Sequence, residues 1–226
     1  MHYGLKCIYK AIERFELKFL DKIERKHPRW GIENLMLHIC ILTAVVYVMH
    51  YALRSSIIGY LYLDRDGVFS GQVWRLVSFV FIPEGGSLIN FLIWLSLYYF
   101  IGNALESTWG TFKFNAYYAV CMLSTVAAAL LFGGKYTGTY INLSLFLAFA
   151  MIFPEYQLLV FFILPVKVKY LAYLDAAFLL YRFVMGSLTV KLSIAAAMLG
   201  FLLIFGGELI KRIKAWIRRQ KYKNKF

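Results

Sequence analysis

The chain has 226 residues, of which 61% are hydrophobic and only 16% are charged, and its formal net charge is +13. Soluble domains are about 45–50% apolar and about 25% charged. This composition therefore excludes an ordinary soluble domain and indicates an integral membrane protein with several spanning helices, since lipid is the solvent of such a chain.

Cysteines and basic residues exclude two further classes of protein. Cys7, Cys40 and Cys121 are scattered, so the sequence predicts no disulfide framework, no metal site and no bound cofactor. Nucleic-acid binding would require a basic face on a folded domain, and no such domain is left over here. The basic residues instead cluster in the two tails, which the positive-inside rule places in the cytoplasm, facing anionic lipid headgroups. The tail cations are Lys6, Lys10, Arg14, Lys18, Lys22, Arg25, Lys26 and Arg29, and Lys211, Arg212, Lys214, Arg218, Arg219, Lys221, Lys223 and Lys225.

Residues 1–33 are predicted to form a cytoplasmic N-terminal segment. Within it, residues 8–23 have the periodicity of an amphipathic helix lying along the cytoplasmic interface. A partner-binding helix is the alternative. The apolar stripe consists of Ile8, Ile12, Phe15, Phe19 and Ile23.

Six apolar stretches follow, and each is predicted to span the membrane. They cover residues 34–53, 88–102, 114–132, 140–153, 170–185 and 192–207. Residues 54–87 form a long polar and aromatic loop that is expected to pack on or in the outer leaflet, with a turn signal at residues 64–67. Residues 157–166 are apolar but too short to cross, since a crossing requires about 20 residues. Pro165 and the flanking Lys167 and Lys169 suggest that this segment lies at the interface.

An even number of spans places both ends of the chain on one side of the membrane, as the two basic tails require. The predicted organisation is a six-helix membrane domain over residues 34–207, followed by a basic cytoplasmic tail over residues 208–226. No internal repeat supports an inverted-repeat transporter. The predicted location is the bacterial cytoplasmic membrane, and an internal eukaryotic membrane is the alternative. The loops outside the cytoplasm would then contain Arg54, Arg65, Arg75, Lys135 and Lys191. Lys113, Lys167 and Lys169 would lie on the cytoplasmic side together with the basic residues of the two tails.

Several short motifs occur in a characteristic order between residues 35 and 207. They are Gly71-Gln72-Val73-Trp74-Arg75-Leu76; Gly102 with Leu105-Glu106 and Gly110; Phe153-Pro154-Glu155; Pro165-Val166-Lys167-Val168-Lys169; and the pair Ala196 and Gly200. In this order and spacing they resemble the rhomboid superfamily of six-helix membrane proteins. The resemblance implies an all-α bundle of six transmembrane helices around a short fourth helix. It also implies that the loop after the first helix lies partly in the membrane.

Proteolytic rhomboids use a serine at the head of span four, a histidine in span six and an asparagine in span two. By spacing, these three slots fall on Thr139, Ser193 and Trp94. A hydroxyl needs an adjacent base to become a nucleophile, and the oxyanion needs donors already aimed at it. The three slots are therefore degenerate, and no residue is assigned a catalytic role. Ser144 and Asn90 are the nearest fallback candidates for the nucleophile and for the oxyanion donor.

The last histidine in the chain is His50, so span six supplies no base of this type. The resemblance therefore implies a catalytically inactive rhomboid-like protein. Such a pseudoprotease would bind transmembrane segments of client proteins within the lipid bilayer and hold, sort or deliver them. One alternative is an intramembrane serine protease with a degenerate site, and another is a small-solute transporter or an accessory subunit of one. The client and the oligomeric state stay open.

The remaining motif residues are expected to be structural. Arg75 should bond to loop carbonyls while Trp74 lies at the interface. Glu106 and Gly110 should fix the turn between spans two and three. Ala196 and Gly200 let helices approach closely.

Asp175 lies about five residues into span five. Ionisable residues within spans are costly and usually face the bundle. Both interfacial solvation and a functional role are open for this carboxylate.

Overall fold

The computed structural model describes residues 31–52, 56–160 and 164–202. The predicted helix at residues 8–23, the end of the sixth predicted span and the tail from residue 208 lie outside the described residues. The described chain is predominantly helical. Its helices are α1 (Leu35–Tyr47), α2 (Ile58–Leu61), α3 (Arg65–Phe69), α4 (Arg75–Ser78), α5 (Leu88–Trp109), α6 (Thr111–Phe132), α7 (Thr139–Ile152), α8 (Val168–Met185) and α9 (Leu188–Leu202).

Two helices, α5 and α6, are long and apolar enough to cross a membrane. Each has 22 residues, which gives a length of about 33 Å against a hydrocarbon core of about 30 Å. Shorter apolar helices are α1, which a π-helical turn (Val48–Ala52) extends, together with α7 and α9. Lys169, Asp175 and Arg182 interrupt the apolar surface of α8. The structure therefore confirms a helical chain with two candidate membrane spans.

The boundary between the second and third predicted spans was wrong. Helix α5 continues past residue 102 to Trp109, and α6 begins at Thr111, so the connection is Gly110 alone. Gly110 has φ 85°, a conformation that only glycine adopts without strain. Its N–H donates to the Glu106 carbonyl at 2.8 Å, which closes the last turn of α5.

The long loop after α1 is more ordered than the sequence predicts. It contains α2, α3, α4 and a 3₁₀ turn (Phe79–Phe81), together with the strand β1 (Leu63–Asp64). Strand β1 pairs antiparallel with β2 (Lys135–Tyr136), so the loop is attached to the connection between α6 and α7. The fully buried Leu63 adds apolar packing to that attachment.

Residues 157–166, predicted to lie at the interface, belong to a pair of strands. Strands β3 (Gln157–Val160) and β4 (Leu164–Lys167) pair antiparallel, with Gln157 opposite Lys167. The apolar run is too short to cross, so pairing its two halves satisfies backbone groups that a single extended segment would leave open. The two strand pairs also correct the all-α expectation.

Helices α5, α6 and α7 meet at the centre of the described fold. Their contact is filled by large side chains that are completely buried, including Ile101, Leu105, Phe114, Tyr117 and Phe149. Helix α1 packs on α5, while α5 and α8 each pack on α7. The contact between α5 and α8 themselves is slight.

Candidate functional site

The three positions that correspond to the family's catalytic residues do not form a site. Thr139 begins α7, and its hydroxyl lies 3.0 Å from that of Thr137. Trp94 is 37% exposed on α5 and stacks on Tyr98 with ring centroids 5.4 Å apart. Ser193 donates its hydroxyl to the Thr189 carbonyl on its own helix at 2.8 Å. The Ser193 hydroxyl is therefore used by its own helix, whereas the Thr139 hydroxyl also lies within hydrogen-bond range of the Glu84 carboxylate.

The fallback nucleophile, Ser144, is completely buried in α7. Its hydroxyl accepts a bond from the Tyr117 hydroxyl at 2.9 Å and donates to the Ile141 carbonyl at 2.7 Å. Its donor is therefore already used by its own helix. The fallback oxyanion donor, Asn90, is exposed at the start of α5, where its N–H bonds to the Ser87 side chain. No hydrogen bond joins Asn90 and Ser144.

The slot of the family's histidine lies on a helix-packing face. Ser193, Ala196 and Ala197 are buried, and α9 lies against α6 along this stripe. The Ser124 hydroxyl of α6 donates to the Ala196 carbonyl at 2.7 Å. A Cβ atom at Gly200 would collide with the sulfur of Cys121. Where a protease holds its base, this chain therefore has a close contact between helices.

Two further motif residues bond to carbonyls of the long loop. Arg75 donates to the carbonyls of Gly59 and Tyr62 at 3.2 and 2.7 Å, and to the side chain of Gln72 at 2.6 Å. Trp74 is about half exposed, and its indole N–H donates to the Tyr60 carbonyl at 3.2 Å. The guanidinium thus holds three loop segments at once.

Glu106 connects the beginning of α1 to the turn between α5 and α6. Its Oε1 atom accepts bonds from the Asn34 N–H at 2.9 Å and from the Thr111 hydroxyl at 3.1 Å. Gly110 supplies the turn between them. Both residues therefore have positions that suit the predicted structural role.

The remaining motif residues, Pro165 and Lys167, lie in β4, where Pro165 pairs with Leu159 in the register. Lys167 and Lys169 both bond to Glu155, at 2.8 and 2.6 Å. These two bonds hold the pKa of Glu155 at about 2, well below its ordinary value. Glu155 thereby attaches the β3–β4 hairpin to the start of α8.

The most distinctive polar group in the interior is one that sequence reasoning missed. The carboxylate of Glu84 lies in the segment between the 3₁₀ turn and α5, and it accepts bonds from Tyr98 of α5 at 3.3 Å and from the Asn142 amide of α7 at 3.4 Å. Burial raises the pKa of Glu84, and the hydrogen bonds from Asn142, Thr139 and Tyr98 act in the opposite direction.

Glu84, Tyr98 and Asn142 line a cavity of about 30 Å³ between α1, α5 and α7. The other walls are mostly apolar, and Trp94 forms part of its rim. A volume of roughly 10–15 Å³ is enough for one water, so this cavity holds one or two groups of that size. One feature of the sequence could have identified Glu84: it is the one acidic residue between Asp66 and Glu106.

Two buried acceptors near this region have no hydrogen-bond partner. They are the Oδ1 atom of Asn142 and the Oδ2 atom of Asp175. Asp175 of α8 lies within electrostatic range of Tyr98. Among the described residues, no lysine, arginine or histidine forms an ion pair with Glu84 or Asp175. The region is therefore rich in acceptors and lacks a positive partner within the described parts of the chain.

No protein-family model, no curated protein and no solved structure matches this chain. The resemblance to rhomboids therefore depends on the ordered motifs alone.

Proposed function

We propose that this chain is a catalytically inactive, rhomboid-like membrane protein that binds transmembrane segments of client proteins. The observation that carries the proposal is the state of Ser144. This hydroxyl is completely buried, accepts a hydrogen bond from Tyr117 and donates its own to the Ile141 carbonyl. A serine in this state acts as a structural hydroxyl, since nucleophilic serine requires a base within hydrogen-bond reach.

The proposed topology has six spans and cytoplasmic termini. Helices lie over the described parts of the six predicted apolar stretches, and α5 and α6 are the two that meet the length and composition required for crossing. Short helices such as α7 are compatible with a bundle whose neighbours cover their ends. The excess of lysine and arginine in the tails supports the orientation.

A client segment would bind beside α8. Of the 18 residues of this helix, only Val168 and Leu179 are buried. Helix α8 packs on α7 but has little contact with α5. A second helix beside α8 could therefore contact exposed apolar side chains such as Leu174 and Phe178 without displacing any core residue.

In-membrane photocrosslinking tests this proposal. A benzophenone side chain would replace Phe178 on α8, which is 50% exposed, or, as the control, the more exposed apolar residue Leu131 on α6, which is 71% exposed. The probe is a tagged single-span helix of leucine and alanine that is co-expressed with the full chain. We expect the crosslinking yield from position 178 to exceed the yield from position 131 about tenfold. This ratio corresponds to a tenfold higher affinity of the probe helix for the surface of α8 than for the surface of α6. Equal yields from the two positions would refute the proposal.

A labelling experiment discriminates the protease alternative. A fluorophosphonate probe labels activated serines, and we expect no labelling of the purified full chain. Labelling that disappears in Ser144→Ala would establish a serine hydrolase in place of a binding protein. A change in thermal stability on adding a small solute would instead favour the transporter alternative.

A further inference from the structure

The Glu84 cavity has the composition of a site that lacks its ligand. Glu84 and Asn142 line it together with Tyr98, and the Oδ1 atom of Asn142 is buried there without any hydrogen-bond donor. A buried acceptor without a partner is rare in folded proteins and calls for an explanation such as a bound water or ion. The Oδ1 atom of Asn142 only accepts hydrogen bonds, so its missing partner is a hydrogen-bond donor or a cation; the Tyr118 hydroxyl, also buried and unpaired, lies within electrostatic range of Glu84.

The carboxylate itself has acceptor capacity to spare. Its bonds from Tyr98 and Asn142 are 3.3 and 3.4 Å long, which is at the long end of the range for hydrogen bonds. A carboxylate has about four lone-pair sites, so a further donor could bind it at a shorter distance. In its ionised form, the carboxylate of Glu84 repels an anion and attracts a positive group.

The size of the cavity limits the group that enters. A space of about 30 Å³ accepts one or two atoms the size of water. An ammonium group or a sodium ion fits this space, whereas an aromatic ring or a branched side chain does not. An ammonium group also carries three donors, which match Glu84, Asn142 and the oxygen of Tyr98.

The position of the cavity gives an entry route from the side of the helix bundle. Trp94 lines the cavity and is 37% exposed on the surface of α5. It lies about 9 Å along the helix from Leu88, at 1.5 Å per residue. In the proposed topology, this level is the outer half of the bilayer. Placing a positive group at that depth in lipid costs free energy. Binding to a carboxylate would stabilise it there.

We propose that Glu84, Tyr98 and Asn142 form a binding site for one compact cation, supplied either by a lysine ammonium group of a client transmembrane segment or by free Na⁺. Occupation of the site by a client lysine rests on the proposed function given above. Occupation of the site by free Na⁺ does not depend on that function. Two experimental arms distinguish the sources.

The first arm uses the purified full chain in detergent, with NaCl or choline chloride at the same ionic strength. If free ions occupy the site, Na⁺ raises the midpoint of thermal unfolding in a concentration-dependent way, because it binds the folded state alone. Choline is too large for the cavity and should have no effect. The shift should disappear in Glu84→Gln and in Asn142→Leu.

The second arm uses the crosslinkable chain with the benzophenone at position 178. The probes are two tagged leucine–alanine helices that differ only by lysine or leucine at one position in the outer half. If a client lysine occupies the site, the lysine helix gives about tenfold more crosslinked product than the leucine helix. This ratio corresponds to a tenfold higher affinity of the lysine helix for the full chain. Glu84→Gln should abolish this preference and leave the crosslinking of the leucine helix unchanged.

Glu155→Gln is the matched control in both arms, because it removes an exposed carboxylate that is distant in the fold and already paired with lysines. Circular dichroism and gel filtration verify that each variant is folded. A positive result in either arm supports the site and identifies the source of the cation. The inference is overturned if Na⁺ and choline give the same midpoint and the two helices crosslink equally. If neither helix crosslinks, the proposed function fails, and the ion arm alone decides whether the site exists.

Discussion

The hydroxyl of Tyr117 donates a 2.9 Å hydrogen bond to the hydroxyl of Ser144, which joins α6 to α7 in the completely buried centre of the protein. Ser144 donates its own hydrogen bond to the Ile141 carbonyl at 2.7 Å. This pair gives the serine a stabilising role between two helices. Its removal should therefore affect folding.

We expect Ser144→Ala to lower the free energy of unfolding by about 1–3 kcal/mol, because the buried Tyr117 hydroxyl loses its acceptor. Tyr117→Phe should have a smaller effect, about 0.5–1.5 kcal/mol, since Ser144 keeps its bond to the backbone. Unfolding of purified protein in mixed detergent micelles measures both values. The double variant should lose less than the sum of the two single losses, because the two residues share one bond.

Ser96→Ala is the control for this pair. Ser96 is exposed on α5 and bonds only to the Leu92 carbonyl of its own helix, at 2.6 Å. Surface substitutions usually change stability by less than about 0.5 kcal/mol. A loss at Ser96 equal to that at Ser144 would contradict a specific role for the buried pair.

Glu106 should be one of the most sensitive polar residues in the described chain. Its Oε1 atom accepts two bonds, from Asn34 and Thr111, at a site where the residue is 9% exposed. We expect Glu106→Ala to lower stability by about 1.5–3 kcal/mol, the range for hydrogen bonds to charged groups. Glu106→Gln keeps an acceptor oxygen and should lose less than half of that. If the two variants are equally stable, the bonds to Oε1 do not account for the role of this residue.

Gly102 permits the close approach of α1 to α5. A Cβ atom at this position would overlap the side chain of Met36. We expect Gly102→Ala to destabilise the protein by about 1–3 kcal/mol, as overpacked cores do. Met36→Ala in the same chain should relieve the overlap, so that the double variant loses less than the sum of the two single losses.

Gly59→Ala is the matched control for Gly102. A Cβ atom added at Gly59 meets no other atom within 4 Å. Its stability should therefore stay close to that of the wild type. A loss that equals the loss at Gly102 would show that the helix contact is not the cause.

Arg75→Lys should loosen the long loop although it preserves the charge. The guanidinium bonds to two carbonyls and to Gln72 from one planar group, and a single ammonium cannot reproduce that geometry. We expect faster limited proteolysis between residues 56 and 78, with a loss of roughly 1–3 kcal/mol. Arg65→Lys is the control, since Arg65 is exposed and lies over the ring of Phe69 at 5.7 Å. Equal proteolysis of the two variants would contradict the anchoring role.

The ion pairs of Glu155 predict a dependence of stability on pH. Hydrogen bonds from Lys167 and Lys169 lower the pKa of Glu155 from 4.5 to about 2. A carboxyl group with a lowered folded-state pKa contributes stability above its unfolded-state pKa and loses it as the pH falls. Glu155→Gln should therefore melt below the wild type at pH 7, and the difference should disappear between about pH 4.5 and pH 2. Because the pair is exposed, added salt should reduce the difference at pH 7. A difference that persists at pH 2 would contradict this assignment.

Hydropathy alone located the helices, since an apolar stretch in lipid must satisfy its backbone groups internally. At residues 157–166 it predicted an interfacial location but not the β3–β4 pairing that forms there. It also misplaced the end of α5, because the glycine that ends the helix is Gly110 and not Gly102. Gly102 instead allows α1 to pack closely on α5, which is apparent only from the position of Met36 in the structure.

The sequence by itself determined the helical class, the basic tails and the absence of any histidine after His50. These features depend on residue identity and on local spacing. Only the tertiary structure decided that Ser144 faces Tyr117 and that Glu84 meets Asn142, 58 residues further along the chain. The phase of each helix and the distance between segments determine such contacts, and both are set by how the helices pack. A carboxylate that looked like a loop residue in the sequence is therefore a lining group of the interior cavity.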